Sequence, residues 1–173
     1  MKKKLAIFDL DGTLYFGNSH VRIVDSYFNI NFDWFLFKIL GKISLKIYMG
    51  LLYFLYNRIP KSFKRDYTLD FRPDCLALLK ELSENNYNII IVSNAPIELV
   101  RAAARKLSLD FYRTEINMKH TVLSRLDYEY LFVCTDNVSD ISLLEHADES
   151  IVYCREKNRN LFSTINNITF RNF

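Results

Sequence analysis

Four short apolar runs, KLAIFDL (4–10), NIIIVS (88–93), LFVC (131–134) and SIVYC (150–154), recur along the chain, and helical patterns separate the last three. Buried strands that alternate with helices need crossover connections, which set the strands parallel and place helices on both faces. The order predicts an α/β protein: a Rossmann-like, doubly wound parallel sheet in three layers. The helices carry their own marks. Pro73 stands where a helix can begin, and DCLALLKELSENN repeats leucine at Leu76, Leu79 and Leu82. Pro96 opens a second helix, PIELVRAAARKL, and a short extended piece around FYR follows it. Further helices are expected over 119–126 and through ISLLEHA (141–147), with SIVYC as the final strand.

At 173 residues the chain has room for one domain with a proper core and a small appended lobe. Half of its residues are hydrophobic and a quarter charged, a globular composition made unusually aromatic by 14 Phe and 11 Tyr. A net charge of +3 is too mild to point to nucleic acid. Cys75, Cys134 and Cys154 lack CxxC or Cys/His metal spacing, so reduced, buried thiols in a cytoplasmic protein are expected. The opening MKKK leads into an apolar run broken by Asp9 and Asp11, and no export signal is read there.

In an open parallel sheet, ligands bind beyond the carboxyl ends of the strands. The first strand ends in Asp9 and Asp11, the second in Ser93 and Asn94, and LFVC runs into Asp136, with Asp140 one helical turn later. Four carboxylates on one edge repel one another, and such a cluster is stable only with a cation or with protonation of a member. Mg2+ held by oxygen ligands is the simplest solution. One carboxylate of the Asp9/Asp11 pair could attack phosphorus while the other protonates the leaving oxygen. Taken singly, each of these residues reads better as part of a polar turn or a helix cap. Asn94 is as readily a turn residue as an orienter of a phosphate-binding loop. His20, His120 and His146 are scattered and read as surface or packing residues.

Order and spacing change that judgement. FDLDGTL, IVSN, Lys119 and TDNVSD resemble, in sequence, the four motifs of the haloacid dehalogenase superfamily, whose members are mostly phosphohydrolases. The likeness continues through FRPDCLALLKELSENNYNIIIVSNAP and NVSDISLLEHAD, roughly two thirds of the chain. It implies Asp9 as the nucleophile that forms an aspartyl-phosphate, and Asp11 as the acid that protonates the leaving group and then activates water. It implies Ser93 and Lys119 on the phosphoryl group. Asp136, the Asp9 side chain and the Asp11 backbone carbonyl would hold Mg2+, with Asp140 as a further ligand or support. Thr135 stands where many members have Gly, and Asn137 where Ser is frequent, but no carboxylate is lost. An alkoxide leaving group needs a proton and a halide does not, so Asp11 favours phosphate esters over dehalogenation. The expected function is a Mg2+-dependent phosphatase acting on a small phosphorylated substrate. A phosphomutase would use the same aspartates. The competing class is a non-enzymatic interaction or membrane-surface protein, which has no chemical need for all six residues.

One stretch stands apart. WFLFKILGKISLKIYMGLLYFLY (34–56) is long enough to span a bilayer. However, each central lysine costs about 2.5 to 3.5 kcal/mol while a Leu, Ile, Phe or Val returns about 0.3 to 0.6, so Lys38, Lys42 and Lys46 offset the gain. A single span would also put Asp9 on one side of the membrane and Ser93, Lys119 and Asp136 on the other. Residues 15–70 therefore read as a helical cap inserted after the first motif, on a core of 1–14 and 71–173. That is the cap position of superfamily members resembling phosphoserine phosphatase. Ile39, Ile43 and Ile47 run beside the lysine stripe, and Gly50 is expected to break or bend the helix. GLLYFLY needs cover from the first half, the core, another subunit or lipid. Three readings of the aromatic excess follow: the core of a lid, a wall touching an apolar part of the substrate, or a basic face resting on an anionic bilayer with Arg58, Lys61, Lys64 and Arg65.

Overall fold

The computed structural model describes residues 3–31 and 44–172. Its strands are β1 (Lys4–Phe8), β2 (Tyr87–Ser93), β3 (Asp110–Arg113), β4 (Tyr130–Thr135), β5 (Glu149–Tyr153) and β6 (Ile168–Arg171). They form one sheet in the order β3-β2-β1-β4-β5-β6, and every pairing is parallel. β1 is central, with Ile7 opposite Ile90 on one side and Val133 on the other. The direction of winding reverses between β1 and β4, the crevice where open α/β sheets bind ligands.

Alternation along the strands divides the core in two. Ala6 and Phe8 face a cluster with Cys75, Leu78 and Leu82 of α4 (Pro73–Glu84) and Val100 and Ala103 of α5 (Ile97–Leu107). Leu5 and Ile7 face the opposite cluster with Val122, Leu123, Leu143, Leu144 and Phe162. The expected three layers are present. Three local expectations change. Residues Lys119–Arg125 form a 3-10 turn rather than an α-helix, and three residues per turn puts Val122 in line with Lys119. The helix expected through ISLLEHA is only α6 (Ile141–Leu144), because Asp148 soon turns back to accept the Leu131 N–H at 2.7 Å. SIVYC is not the last strand, since ITFR adds β6 at the edge beyond β5. Its four residues are too few to show a period.

Between β1 and α4 lie α1 (Ser19–Phe28), α2 (Leu45–Arg58) and α3 (Lys61–Asp66). Asn18 caps α1 by accepting the Val21 N–H at 3.1 Å. Ile23 and Val24 of α1 pack with Leu52, Tyr56 and Ile59, and Leu99 of α5 closes the cluster. At the foot of this segment Tyr15 and Phe71 form an antiparallel bridge with rings stacked at 4.9 Å, and the Arg72 N–H donates to the Leu14 carbonyl at 2.8 Å. Gly50 does not break α2, which runs through it. A Cβ there would meet nothing within 4 Å, and burial of Leu52 and Tyr56 outweighs the roughly 1 kcal/mol that glycine costs a helix. Trp34, Lys38, Ile39, Lys42 and Ile43 lie outside the described residues, so the lysine stripe is seen only at Lys46, which is exposed. Among the described residues no helix is long and apolar enough to cross a membrane.

His20 sits inside this packing, edge-on to Tyr53 and Tyr56 at 4.9 and 4.6 Å between ring centres. Burial, helped by Lys64, lowers its pKa from 6.5 to about 4. The unfolded chain therefore binds a proton that the folded one refuses between those two values. The contribution of His20 to stability should therefore fall as pH drops from about 6.5 to about 4, by up to about 3 kcal/mol. Urea titrations across that window should show the parent protein losing stability relative to His20→Phe as the pH falls.

Candidate active site

Asp9 follows the last residue of β1, and its own N–H extends the β1–β4 pairing by donating to the Cys134 carbonyl at 2.9 Å. The chain then makes a tight turn over Leu10–Leu14 in which Gly12 takes φ +75°. Two facts demand glycine there: the left-handed φ, and a Cβ position only 2.1 Å from Asp136 Oδ2. The turn is held from behind by Cys75, whose Sγ lies 3.3 Å from the Thr13 carbonyl. Gly12→Ala should therefore cost about 1 to 2 kcal/mol of backbone strain and also displace Asp136. Thermal melts of parent and variant read the loss of stability.

Asp9 is almost fully buried and each of its oxygens is engaged. Oδ1 accepts the Leu10 N–H at 2.7 Å and Oδ2 meets Lys119 Nζ at 2.7 Å. The same ammonium meets Asp140 Oδ2, also at 2.7 Å. Lys119 is 2% exposed and Asp140 is 0% exposed, so one cation bridges two carboxylates out of water. Thr135 Oγ1 donates to the same Asp140 oxygen, giving the residue that stands in place of glycine a definite task. Asp11 has a separate anchor, its Oδ1 accepting the Ser19 N–H at the start of α1 at 2.9 Å. Asp136 has a weaker hold, a 3.4 Å hydrogen bond from Thr13 Oγ1.

The charges do not balance. Four carboxylates, Asp9, Asp11, Asp136 and Asp140, gather near one ammonium, which meets only Asp9 and Asp140. Burial pushes the Asp9 carboxyl up although Lys119 pulls it back, and raises Asp11 to about 6 against the Ser19 hydrogen bonds. Asp136 is driven to about 8 by burial and then by the neighbouring Asp9 charge. Lys119 is held above its ordinary value: burial lowers it, and the attraction of Asp9 and Asp140 more than compensates. A site of this kind takes up protons or a cation. Among the described residues no three His, Cys, Asp or Glu side chains converge tightly enough to hold an ion by themselves. The set still suits a hard cation. The carboxylates of Asp9 and Asp136 and the Asp11 carbonyl are oxygen donors, an ion such as Mg2+ keeps several waters, and Gly12 leaves room for Asp136. Asp140 is committed to Lys119 and Thr135.

Asp9, Asp11, Ser93 and Asn94 all line one cavity of about 240 Å3. Ser93, at the end of β2, is buried and its Oγ accepts the Ala95 N–H at 3.3 Å. Asn94 is oriented by Thr114, whose hydroxyl donates to its Oδ1 at 2.9 Å. Lys119 and Asp140 stand behind Asp9. A larger hollow of about 450 Å3 opens beside Tyr87 and Asp110, at the starts of β2 and β3. It lies at the other end of the strands from the carboxylates. Sequence reasoning missed several walls of the smaller cavity. Arg113 and Glu115, paired with each other, follow from the strand-end rule once FYR is taken as a strand. His20, Met49 and Tyr53 come from α1 and α2, where no motif marks them.

No protein-family profile and no curated protein matches this sequence. Solved structures do match its fold. A phosphoserine phosphatase in apo form superposes with a TM-score of 0.70 at 19% identity, covering 96% of this chain and 93% of that one. A phospho-aspartyl intermediate analogue of phosphoserine phosphatase gives 0.68 at 18%, covering 97% and 93%. A HAD-family hydrolase from Salmonella enterica serovar Typhi gives 0.63 at 16%, covering 97% and 68%. The fold is thus that of HAD hydrolases in the phosphoserine phosphatase-like arrangement, in agreement with the resemblance carried by the motifs.

Proposed function

We propose that this chain is a Mg2+-dependent phosphatase that hydrolyses a phosphate monoester through an aspartyl-phosphate on Asp9. The observation that carries this reading is the buried Asp9–Lys119–Asp140 array at the β1/β4 switch point, with Asp11 and Ser93 opening on the same cavity. Residues 15–70 act as a cap on a catalytic core of 1–14 and 71–173, closed at its base by the Tyr15–Phe71 bridge.

An Asp9 carboxylate oxygen attacks phosphorus. An O–P bond forms, the ester P–O bond breaks, and the alcohol leaves with a proton from Asp11. At about 6 the Asp11 carboxyl retains protonated molecules near neutrality and is also a competent base once ionised. It then takes a proton from water as the water attacks phosphorus, which restores the Asp9 carboxylate and releases inorganic phosphate. Lys119 reduces the repulsion between the Asp9 charge and the phosphoryl oxygens, and Asp140 with Thr135 fixes the ammonium in place. Ser93 and Asn94 position the phosphoryl group. Mg2+ held by Asp9, Asp136 and the Asp11 carbonyl would supply further neutralisation of phosphoryl charge.

Inorganic phosphate release from a panel of monoesters, with and without Mg2+, tests the proposal. Metal-dependent release supports it. Transfer of the phosphoryl group to a second hydroxyl without free phosphate would make the chain a mutase. Absence of both reactions would favour a binding protein that keeps the fold.

A further inference from the structure

The edge strand β3 brings a cation to the cavity. Arg113, its last residue, stands in register with Ser93 on β2, and both residues line the cavity. Thr114 ties the two strand ends together, its N–H donating to the Ser93 carbonyl at 3.0 Å and its hydroxyl to Asn94. Neighbouring strands lie about 4.8 Å apart, which sets the Arg113 backbone roughly 10 Å, two strand spacings, from Asp9. With the phosphoryl group between Asp9 and Ser93, the guanidinium is placed to meet the part of the ester that lies beyond phosphorus. A carboxylate already occupies it there: Arg113 Nη1 donates to Glu115 Oε1, and Glu115 lines the same cavity.

Glu115 holds that position loosely. Its side chain is 72% exposed against 37% for Arg113, and so exposed an ion pair contributes little to stability. Glu115 can therefore exchange the arginine for water at small cost. A carboxylate on a bound ester is already held at one end by its phosphoryl group, so it gives up less freedom in taking the same place. The guanidinium suits it, with five donors in a planar fork that matches carboxylate geometry. The cavity, about 240 Å3, limits the linker between the two groups to a short one. Resting on the phosphatase reading above, we propose that Arg113 is a specificity-determining residue and that the substrate is the phosphate monoester of a short hydroxy acid, whose carboxylate replaces Glu115 on the guanidinium. No motif assigns a role to either residue.

The test is a comparison of kcat/KM for phosphoglycolate, ethyl phosphate and O-phosphoethanolamine, which carry a carboxylate, no further charge or an ammonium on a two-carbon alcohol, using the full chain with Mg2+. p-Nitrophenyl phosphate serves as a reactive reference. Phosphoglycolate should exceed the other two alkyl esters by at least about tenfold. Arg113→Met should narrow the ratio of phosphoglycolate to ethyl phosphate, chiefly through a higher KM for phosphoglycolate. Arg113→Lys should keep part of the ratio, and Glu115→Gln, which removes the competing charge, should widen it. Thermal melts establish that each variant is folded. Equal or better use of ethyl phosphate or phosphoethanolamine by the parent protein overturns the proposal and leaves the phosphatase reading standing, as does an unmoved ratio in folded Arg113→Met. Should that variant not fold, a ratio that stays level or falls in Glu115→Gln overturns it instead. No release from any of the four esters overturns both readings.

Discussion

Asp9→Asn should lower phosphate release by at least about 10^3-fold on every ester the parent protein hydrolyses, because it removes the nucleophile and not a binding contact. The carboxamide is nearly isosteric, so the Leu10 N–H can keep its oxygen acceptor. The Lys119 ammonium loses one of its two carboxylate partners but keeps Asp140. The variant should therefore fold. Its loss should appear in kcat, with substrate binding largely retained, and a titration of the folded variant with substrate separates the two. Asp11→Asn should differ in kind. It leaves the nucleophile in place, so esters with good leaving groups should still form the covalent intermediate and then stall before hydrolysis.

Lys119→Met should have the largest effect on stability. It leaves Asp9 and Asp140 buried without their shared cation, and breaking a buried ion pair from one side costs about 3 to 5 kcal/mol. Part of that loss is recoverable by protonation, with a sign that can be checked. Burial already holds the Asp9 carboxyl above its ordinary value and Lys119 pulls it back, so without the lysine Asp9 should bind a proton more readily in the folded state, and the variant should gain stability relative to the parent as pH is lowered through a range chosen on either side of neutrality. Urea titrations of parent and variant at both ends of that range should show the gap closing at the acid end. A gap that stays constant would mean that Lys119 contributes packing rather than charge. Activity should be lost as well: at the acid end protonation of Asp9 removes the nucleophile, and at the alkaline end no ammonium offsets the repulsion between its charge and the phosphoryl oxygens.

Much of this site could be read from the chain because the β1, β2 and β4 ends obey a simple rule: apolar runs stop where ligand-binding side chains begin. The rule puts Asp9, Ser93 and Asp136 on one edge. Lys119 is harder, because it is placed by a buried bridge to Asp9 and Asp140 and nothing in KHTVLSR marks a lysine for burial; only the resemblance in motif order points to it. Thr135, which stands where the motif often has Gly, donates to Asp140, a contact no spacing announces. Gly50 misled for a physical reason. A glycine's helix penalty is about 1 kcal/mol, and tertiary packing of α2 overrides it. β6 escaped because four residues at a sheet edge carry too little pattern. The helical wall of the cavity was invisible for a deeper reason: Met49 and Tyr53 reach it through the α1–α2 packing, which no spacing within either helix encodes.

The most direct test is to quench the reaction in acid during steady turnover of an ester with Mg2+ and to map the phosphoryl group by mass spectrometry. A base-labile phosphoryl group on Asp9, formed and consumed at rates consistent with turnover and enriched in Asp11→Asn, is the expected result. Phosphate release that continues in Asp9→Asn, or a phosphoryl group on any other residue, would contradict it.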